Sequence, residues 1–138
     1  MPRLVALDAG PLAALFIPDD PFHQRATAFV AQLRVPTFTT LAVVTEVMYL
    51  LDFSSRNQLR FLEWLRRGAV EVASLEVGDW DRCAQLIDKY ADLPADFADV
   101  TLVALCERRL TRRIATIDSD FSVYRYNDRY PFENVFSS

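Results

Sequence analysis

Short apolar runs and longer amphipathic segments alternate along the chain. Residues 3–7 and 113–117 are short apolar runs of the kind found in buried strands, and residues 69–75 alternate between apolar and polar side chains as a strand does. A further short strand is expected to lead to Phe38, and an edge strand is expected at 134–136. The pattern therefore predicts four or five strands.

Six segments have the helical spacing of apolar residues. They are residues 10–17, 22–33, 41–51, 55–67, 77–90 and 96–110. Thr40 is placed to cap the third of these helices and Gly68 to end the fourth. Because strands alternate with helices, we expect an α/β fold in which a central, mostly parallel sheet of four or five strands is flanked by helices on both faces.

The composition indicates a globular protein. With 138 residues, 51% of them hydrophobic, the chain is expected to form one domain over residues 1–138. Its apolar stretches are too short and too interrupted by charge to cross a bilayer, and no signal peptide is visible, so a cytoplasmic location is expected. Cys83 and Cys106 lie on apolar helix faces and are interpreted as buried thiols. His23 is the only histidine, which argues against histidine-based zinc chemistry and a Ser-His-Asp hydrolase.

The net charge bears on nucleic-acid binding. A formal charge of −4 argues against a protein that binds nucleic acid through bulk positive charge. The objection weakens if carboxylates bind cations, because two divalent ions would bring the formal charge to zero. Lys89 is the sole lysine, and arginine, which supplies the other basic residues, suits bidentate phosphate contacts.

Two aspartates follow predicted strands. Asp8 comes directly after the first strand and Asp118 after the last central one, and ligands of parallel α/β sheets bind beyond the carboxyl ends of strands. Both side chains are therefore expected at one edge of the sheet. A polar residue that starts a turn is an equal interpretation of Asp8. For Asp118 the alternative is an Asx or Ser turn by which the strand leaves the sheet. As a ligand, Asp118 would have the hydroxyl of Thr116 or Ser119 in support, with Asp120 as its substitute.

Two further acids lie on predicted helices. Glu46 is the only charged residue between Arg34 and Asp52, and a lone carboxylate on so apolar a helix is costly unless it is paired, protonated or bound to a cation. Asp96 stands where a helix N-cap would, and capping is its favoured role. Asp99 shares a face with apolar residues of its helix, so it points toward the core, where a metal ligand is more sensible than a cap.

These acids suggest a particular chemistry. Several carboxylates within a few ångström repel one another and cannot all ionise without a cation. Hard oxygen ligands select Mg²⁺ or Mn²⁺ over zinc or copper. A bound ion of this kind lowers the pKa of a water molecule and stabilises charge on a phosphodiester. A metal-dependent phosphodiesterase would need no nucleophilic serine, cysteine or histidine.

Four segments, in order, resemble the PIN-domain family, and in particular the toxin ribonucleases of VapBC-type toxin–antitoxin pairs. They are LVALDAGPLAALF, TTLAVVTEV, DLPADFADVTLVALCERR and RRIATIDSDFSVYR, and the resemblance runs on to the FENV ending. It implies a single PIN-like domain. By this resemblance the family's acidic quartet falls on Asp8, Glu46, Asp99 and Asp118, with Thr116 as the supporting hydroxyl and Asp96 and Asp120 nearby.

The resemblance also implies an activity and partners. It predicts a Mg²⁺- or Mn²⁺-dependent endoribonuclease that hydrolyses RNA, forms a homodimer, and is inhibited by a VapB-like antitoxin that inserts a segment into the active-site groove. Under this hypothesis Asp8, Asp99 and Asp118 hold the principal cation. Glu46 holds a second cation or orients the attacking water.

A basic cluster follows the helix of Asp99. Its residues either contact the RNA backbone or form a solvated helix end that the helix dipole favours. They are Arg108, Arg109, Arg112 and Arg113.

Other α/β proteins with acids at strand ends fit less well. A haloacid-dehalogenase-type phosphatase would need an aspartate where Gly10 stands. A response-regulator receiver would need a lysine after a late strand, whereas Lys89 lies within a predicted helix. The remaining alternative is a catalytically inactive PIN-like module that binds RNA or protein, although four intact carboxylates count against it.

Overall fold

A five-stranded sheet forms the centre of the computed structural model, which describes residues 3–136. The elements are, in chain order, β1 (Val5–Leu7), α1 (Ala9–Leu15), α2 (His23–Gln32), β2 (Thr37–Thr40), α3 (Leu41–Leu50), α4 (Ser55–Arg66), β3 (Glu71–Ala73), α5 (Val77–Lys89), α6 (Phe97–Arg108), β4 (Arg113–Ala115), a 3₁₀ helix (Ser119–Ser122), β5 (Arg125–Tyr126), β6 (Tyr130–Pro131) and β7 (Glu133–Asn134).

The sheet is parallel throughout, with the strand order β3-β2-β1-β4-β7. The sequence-based prediction of an α/β fold with four or five mostly parallel strands is therefore confirmed. Val5, Ala6 and Leu7 point alternately to opposite faces of the sheet, and all three are buried, so helices cover both faces at β1. One continuous cluster of buried apolar residues connects the sheet with all six helices.

Local signals in the sequence set several of the helix ends. The Thr40 hydroxyl accepts a hydrogen bond from the Val43 backbone N–H at 3.3 Å, as expected of an N-cap. Gly68 follows α4 with a φ of +79°, the left-handed conformation that ends many helices. Helix α6 ends at Arg108, earlier than predicted, because Leu110 adopts a φ of +60°.

The antiparallel hairpin of β5 and β6 was not predicted. Asn127 and Asp128 occupy its turn with φ values of +53° and +61°, a conformation that these two residue types tolerate better than most others. Strand β7 was predicted at 134–136 and lies at Glu133–Asn134.

Both cysteines are buried free thiols, as predicted. Within residues 3–136, no helix is both long enough and apolar enough to span a membrane.

We expect Phe38→Ala to lower the free energy of unfolding by about 3–5 kcal/mol, since the ring is fully buried in β2 and its removal leaves a cavity. Urea unfolding measures this loss. Phe53→Ala is the matched control, because that ring is 64% exposed and its loss should change stability by no more than about 0.5 kcal/mol. Equal losses in the two variants would contradict this account of the core.

Candidate metal centre

The carboxyl ends of β1 and β4 lie side by side at the centre of the sheet. Asp8 follows β1 directly, while Thr116 and then Asp118 follow β4. The later strands extend the sheet in opposite directions from this pair: β2 and β3 lie on the side of β1, and β7 lies on the side of β4. This makes the carboxyl end of the pair a topological switch point, the place where open α/β sheets bind ligands.

Three carboxylates meet at this edge. One oxygen each from Asp8, Asp99 and Asp118 lies within 4.8 Å of the other two. Asp99 reaches the edge from the first turn of α6, where the positive end of the helix dipole favours a negative charge. Asp8 and Asp99 are buried and Asp118 is exposed. Such a group directs two buried carboxyl groups and one accessible carboxyl group to a common point.

Neutral hydroxyl groups orient the two buried carboxylates. The Thr116 hydroxyl donates to Asp8 Oδ2 at 2.7 Å and accepts from the Asp118 backbone N–H at 2.9 Å. The Tyr124 hydroxyl donates to Asp99 Oδ2 at 2.7 Å. Because both donors are uncharged, they orient the carboxylates without cancelling their charge.

One carboxylate oxygen has no hydrogen-bond donor. Among residues 3–136, Asp8 Oδ1 is the one buried side-chain polar atom without a hydrogen-bond partner. A buried polar atom without a partner is costly, and in native proteins such atoms commonly bind an ion or a water molecule. An oxygen-lined site of this kind fits Mg²⁺ or Mn²⁺.

The side chains of Asp96 and Asp118 also accept hydrogen bonds from nearby backbone N–H groups. The Asp96 side chain accepts a hydrogen bond from the Asp99 backbone N–H at 2.8 Å, so it caps α6 as the sequence predicted. Asp118 Oδ1 accepts from the Asp120 backbone N–H at 2.9 Å, which is the Asx turn that was the alternative interpretation of Asp118. The turn uses one oxygen of Asp118, and Asp118 still belongs to the group of three carboxylates.

Glu46 lies outside the closest group but within its electrostatic field. Its pKa is raised to about 7, first by burial and then by repulsion from Asp96, Asp8 and Asp118. Glu46 is thus a half-buried carboxylate that the negative charge of this edge makes harder to ionise.

The pKa values of the two buried aspartates are raised as well. Burial raises the pKa of Asp8 to about 6, against the stabilising hydrogen bond from Thr116 and with smaller repulsion from Asp118. Burial raises the pKa of Asp99 to about 8, with repulsion from Asp8 as a further cause. A bound cation would reverse this balance, because it favours the ionised form of every ligand.

The first two arginines of the predicted basic cluster are held in ion pairs. Arg108 Nε lies 3.0 Å from Asp79 Oδ2, and Arg109 Nη2 lies 2.7 Å from Glu71 Oε2. The Arg109 guanidinium also lies over the Phe38 ring, 5.1 Å from its centre. These contacts fasten the end of α6 to α5 and β3.

The structure does not bring this cluster together with the acids. Arg108 follows Asp99 by nine residues on α6, about 14 Å along the helix axis at 1.5 Å per residue. Arg113 begins β4 at the opposite edge of the sheet, and Arg112 lies over the Tyr130 ring at 5.3 Å. The geometry therefore favours the structural interpretation of all four arginines over RNA contact.

Two residues of the site were missed from the sequence. Tyr124 is one; Asn134 is the other, with its Nδ2 donating to the Thr116 carbonyl at 3.0 Å and its Oδ1 accepting from the Thr116 N–H at 3.2 Å. Neither lies in a periodic pattern that marks a site. The FENV ending, which extends the family resemblance, was the only signal that could have drawn attention to Asn134.

Comparison with known proteins assigns the chain to one family. The family model described as PIN domain matches residues 5–126, so the chain belongs to the PIN-domain family. It is 28% identical over 114 residues to ribonuclease VapC26 of Mycobacterium tuberculosis (strain ATCC 25618 / H37Rv), a match that covers 81% of this chain and 84% of that protein.

A solved structure agrees with this assignment. VapC20 of Mycobacterium tuberculosis, described as a toxin that cleaves the sarcin–ricin loop, matches with a TM-score of 0.80 over 92% of this chain and 99% of its own. Sequence identity in that match is 20%, so it bears on the fold alone. The predicted resemblance to VapC-type PIN proteins is confirmed.

In the presence of a chelator, we expect the protein to lose stability as the pH rises from about 4 to about 8. An aspartate ordinarily titrates near 3.8, whereas the pKa of folded Asp8 is about 6 and that of folded Asp99 about 8. Between these values the folded state holds more protons than the unfolded state, so a rising pH favours unfolding. Thermal unfolding at pH 5 and pH 8 measures the difference.

Asp99→Asn supplies the control for this pH effect, because an amide cannot titrate. The Tm difference between pH 5 and pH 8 should be smaller in this variant than in the wild type. A wild-type Tm that is higher at pH 8, or an unchanged difference in the variant, would show that burial does not govern these groups.

Proposed function

We propose that the protein is a metal-dependent endoribonuclease that hydrolyses RNA phosphodiester bonds and acts as the toxin of a toxin–antitoxin pair. The observation that carries the proposal is the buried, unpartnered Oδ1 of Asp8 beside the carboxylates of Asp99 and Asp118. Membership of the PIN-domain family and similarity to a protein named ribonuclease VapC26 support the same activity.

Asp8, Asp99 and Asp118 are the proposed ligands of a Mg²⁺ or Mn²⁺ ion. The donor set is made of carboxylate oxygens, which are the ligands these ions prefer, and the cluster has no lysine or arginine paired to it among residues 3–136. When bound, such an ion activates water and stabilises the charge that develops on a phosphodiester.

The chain's own groups have complementary tasks in hydrolysis. Thr116 holds Asp8, and the first turn of α6 holds Asp99, so the buried ligands are fixed before the substrate arrives. Glu46 has a pKa of about 7, which suits a carboxylate that accepts a proton from a water molecule at neutral pH or that binds a second cation. Asp120 and Asp96 stand nearby as accessory acids.

We expect Asp8→Asn and Asp99→Asn each to reduce cleavage of total RNA by more than about 100-fold, since even the loss of a hydrogen-bond partner of a metal ligand costs about 10- to 100-fold. Calorimetric titration with Mn²⁺ should show a parallel loss of metal binding. Circular dichroism should show that the fold is intact.

Asp81→Asn is the matched control for these variants, because Asp81 is an exposed aspartate of α5. It should keep both Mn²⁺ binding and cleavage. Retained activity in both ligand variants would refute the nuclease site, whereas Mn²⁺ binding by the wild type without any cleavage would favour the inactive binding module.

A homodimer is the second part of the proposal. A groove of about 770 Å³, which Glu46 and Asp96 help to line, also presents apolar side chains of α3, β3, α5 and α6, and the larger of these are exposed. Leu41 is 68% exposed and Tyr49 is 72% exposed, and contiguous apolar surface of this kind commonly marks an interface. We assign this face to the second copy of the chain.

The other large groove suits self-association less well. It lies between α1 and α4, and Arg56, Arg60 and Arg67 line it. Its three arginines outnumber the one acid, Glu63, that also lines it. A two-fold contact applies the same patch of both copies to each other, so this face would bring two net-positive patches together.

Leu41→Glu is expected to convert the dimer to a monomer, because it places a charge in the apolar face. Size-exclusion chromatography with light scattering measures the mass. Leu59→Glu is the control, since Leu59 has a similar exposure, 66%, and lies in the arginine-lined groove of α4. Dissociation by Leu59→Glu alone would move the interface to that groove.

The remaining parts of the proposal concern the antitoxin and the location. A VapB-like antitoxin would insert a segment into the active-site groove in front of the exposed Asp118 and thereby block access of RNA to the acids. The expected location is the cytoplasm, where both RNA and a co-produced antitoxin would meet the protein.

A further inference from the structure

We infer that Tyr124 is a positioning residue of the metal centre, whose hydroxyl fixes one oxygen of Asp99 so that the other is available to a cation. The inference rests on the proposed metal-dependent function and assigns a role to a residue outside the predicted acidic quartet. It is carried by the contacts of the Tyr124 side chain.

The hydrogen bond between these residues is short and shielded from solvent. Tyr124 Oη lies 2.7 Å from Asp99 Oδ2, and the two residues are 1% and 2% exposed. A donor on one oxygen restricts rotation of the carboxylate about its terminal bond. Among residues 3–136, the other oxygen of Asp99 accepts no hydrogen bond, so it is the oxygen left for a ligand interaction.

The Tyr124 ring is itself held in place. It makes edge-to-face contacts with Tyr90 and Phe121, at centroid distances of 5.1 Å and 5.0 Å. Its backbone N–H donates to the Asp120 carbonyl at 3.1 Å. The direction of the hydroxyl is therefore fixed by packing of the ring on both sides as well as by its hydrogen bond to Asp99.

One short segment thus serves two ligands. Asp118 and Tyr124 stand at either end of the 3₁₀ helix, so the same turn that presents the Asp118 carboxylate also presents the hydroxyl that holds Asp99. A displacement of this turn would move one proposed ligand directly and another through its hydrogen bond.

The Asp8 carboxylate is oriented in the same way as that of Asp99. There, too, a neutral hydroxyl, that of Thr116, donates to one carboxylate oxygen while the other oxygen has no donor. A lysine or arginine at either position would bring a full positive charge that competes with a metal cation. Hydroxyl donors orient both buried carboxylates and preserve their charge for the ion.

The test is calorimetric titration with Mn²⁺ on the wild type, Tyr124→Phe and Tyr90→Phe. Tyr124→Phe keeps the ring and removes only the hydroxyl, and we expect its Mn²⁺ affinity to fall about 10- to 100-fold, the usual effect of losing a hydrogen bond to a metal ligand. Cleavage by this variant should need correspondingly more Mn²⁺ and should approach the wild-type rate at saturation.

Tyr90→Phe is the matched control from the same aromatic cluster. Its hydroxyl accepts a hydrogen bond from the Arg125 backbone N–H at 3.0 Å and bonds to no acid of the site. We expect this variant to bind Mn²⁺ like the wild type, even where its Tm in chelator falls. The increase in Tm that Mn²⁺ produces gives an independent ranking of the three proteins and shows that each is folded.

Two results would overturn the inference. One is an Mn²⁺ affinity of Tyr124→Phe within about 3-fold of wild type, well short of the loss expected for a ligand's hydrogen-bond partner; the other is an equal loss in Tyr90→Phe, which would indicate a general effect on the aromatic cluster. If the wild type binds Mn²⁺ and cleaves RNA in either case, only the role of Tyr124 fails. If the wild type binds no Mn²⁺, the proposed function fails with it.

Discussion

The burial of two carboxylates beside a third is the constraint on which the rest of the structure depends. Asp8 and Asp99 lie out of solvent, and repulsion from Asp118 adds to the cost of ionising them. A fold can tolerate such a cluster only if it supplies donors, a favourable dipole or a cation. The hydroxyls of Thr116 and Tyr124 supply the donors and the first turn of α6 supplies the dipole, and the unpartnered oxygen of Asp8 is where we propose that a cation binds.

The position of the cluster follows from the strand order. β1 and β4 are neighbours at the centre of the sheet, although more than 100 residues separate them in sequence, and each delivers an acid at its carboxyl end. Because β1 is buried on both faces, packing on both sides of the sheet holds the strand that carries Asp8. α6 is buried along almost its whole length, which fixes Asp99 in the same way. Precision at the site thus comes from the core of the protein.

The sequence predicted the structure correctly where buried residues recur at the regular spacing of a strand or a helix. The apolar runs of β1 and β4, the capped start of α3 and the apolar face of Asp99 could all be recognised, and they place the acidic group. Contacts between side chains far apart in the chain leave no such pattern. The bond from Tyr124 to Asp99 and the ion pair of Arg109 with Glu71 join residues 25 and 38 positions apart, so the first was missed and the second left RNA contact open as an alternative.

Because the Asn134 side chain supports the site, completion of the site depends on the order in which the chain is synthesised. Its amide bonds both backbone groups of Thr116, the residue whose hydroxyl holds Asp8. Since β7 follows every other strand of the sheet, synthesis from the amino terminus produces all four acids before it produces the amide that clamps Thr116. While β7 is still to be synthesised, the ribosome-bound chain carries the carboxylates without the hydrogen bonds between Asn134 and Thr116. Assembly of the complete acidic edge therefore has to wait until β7 has been synthesised.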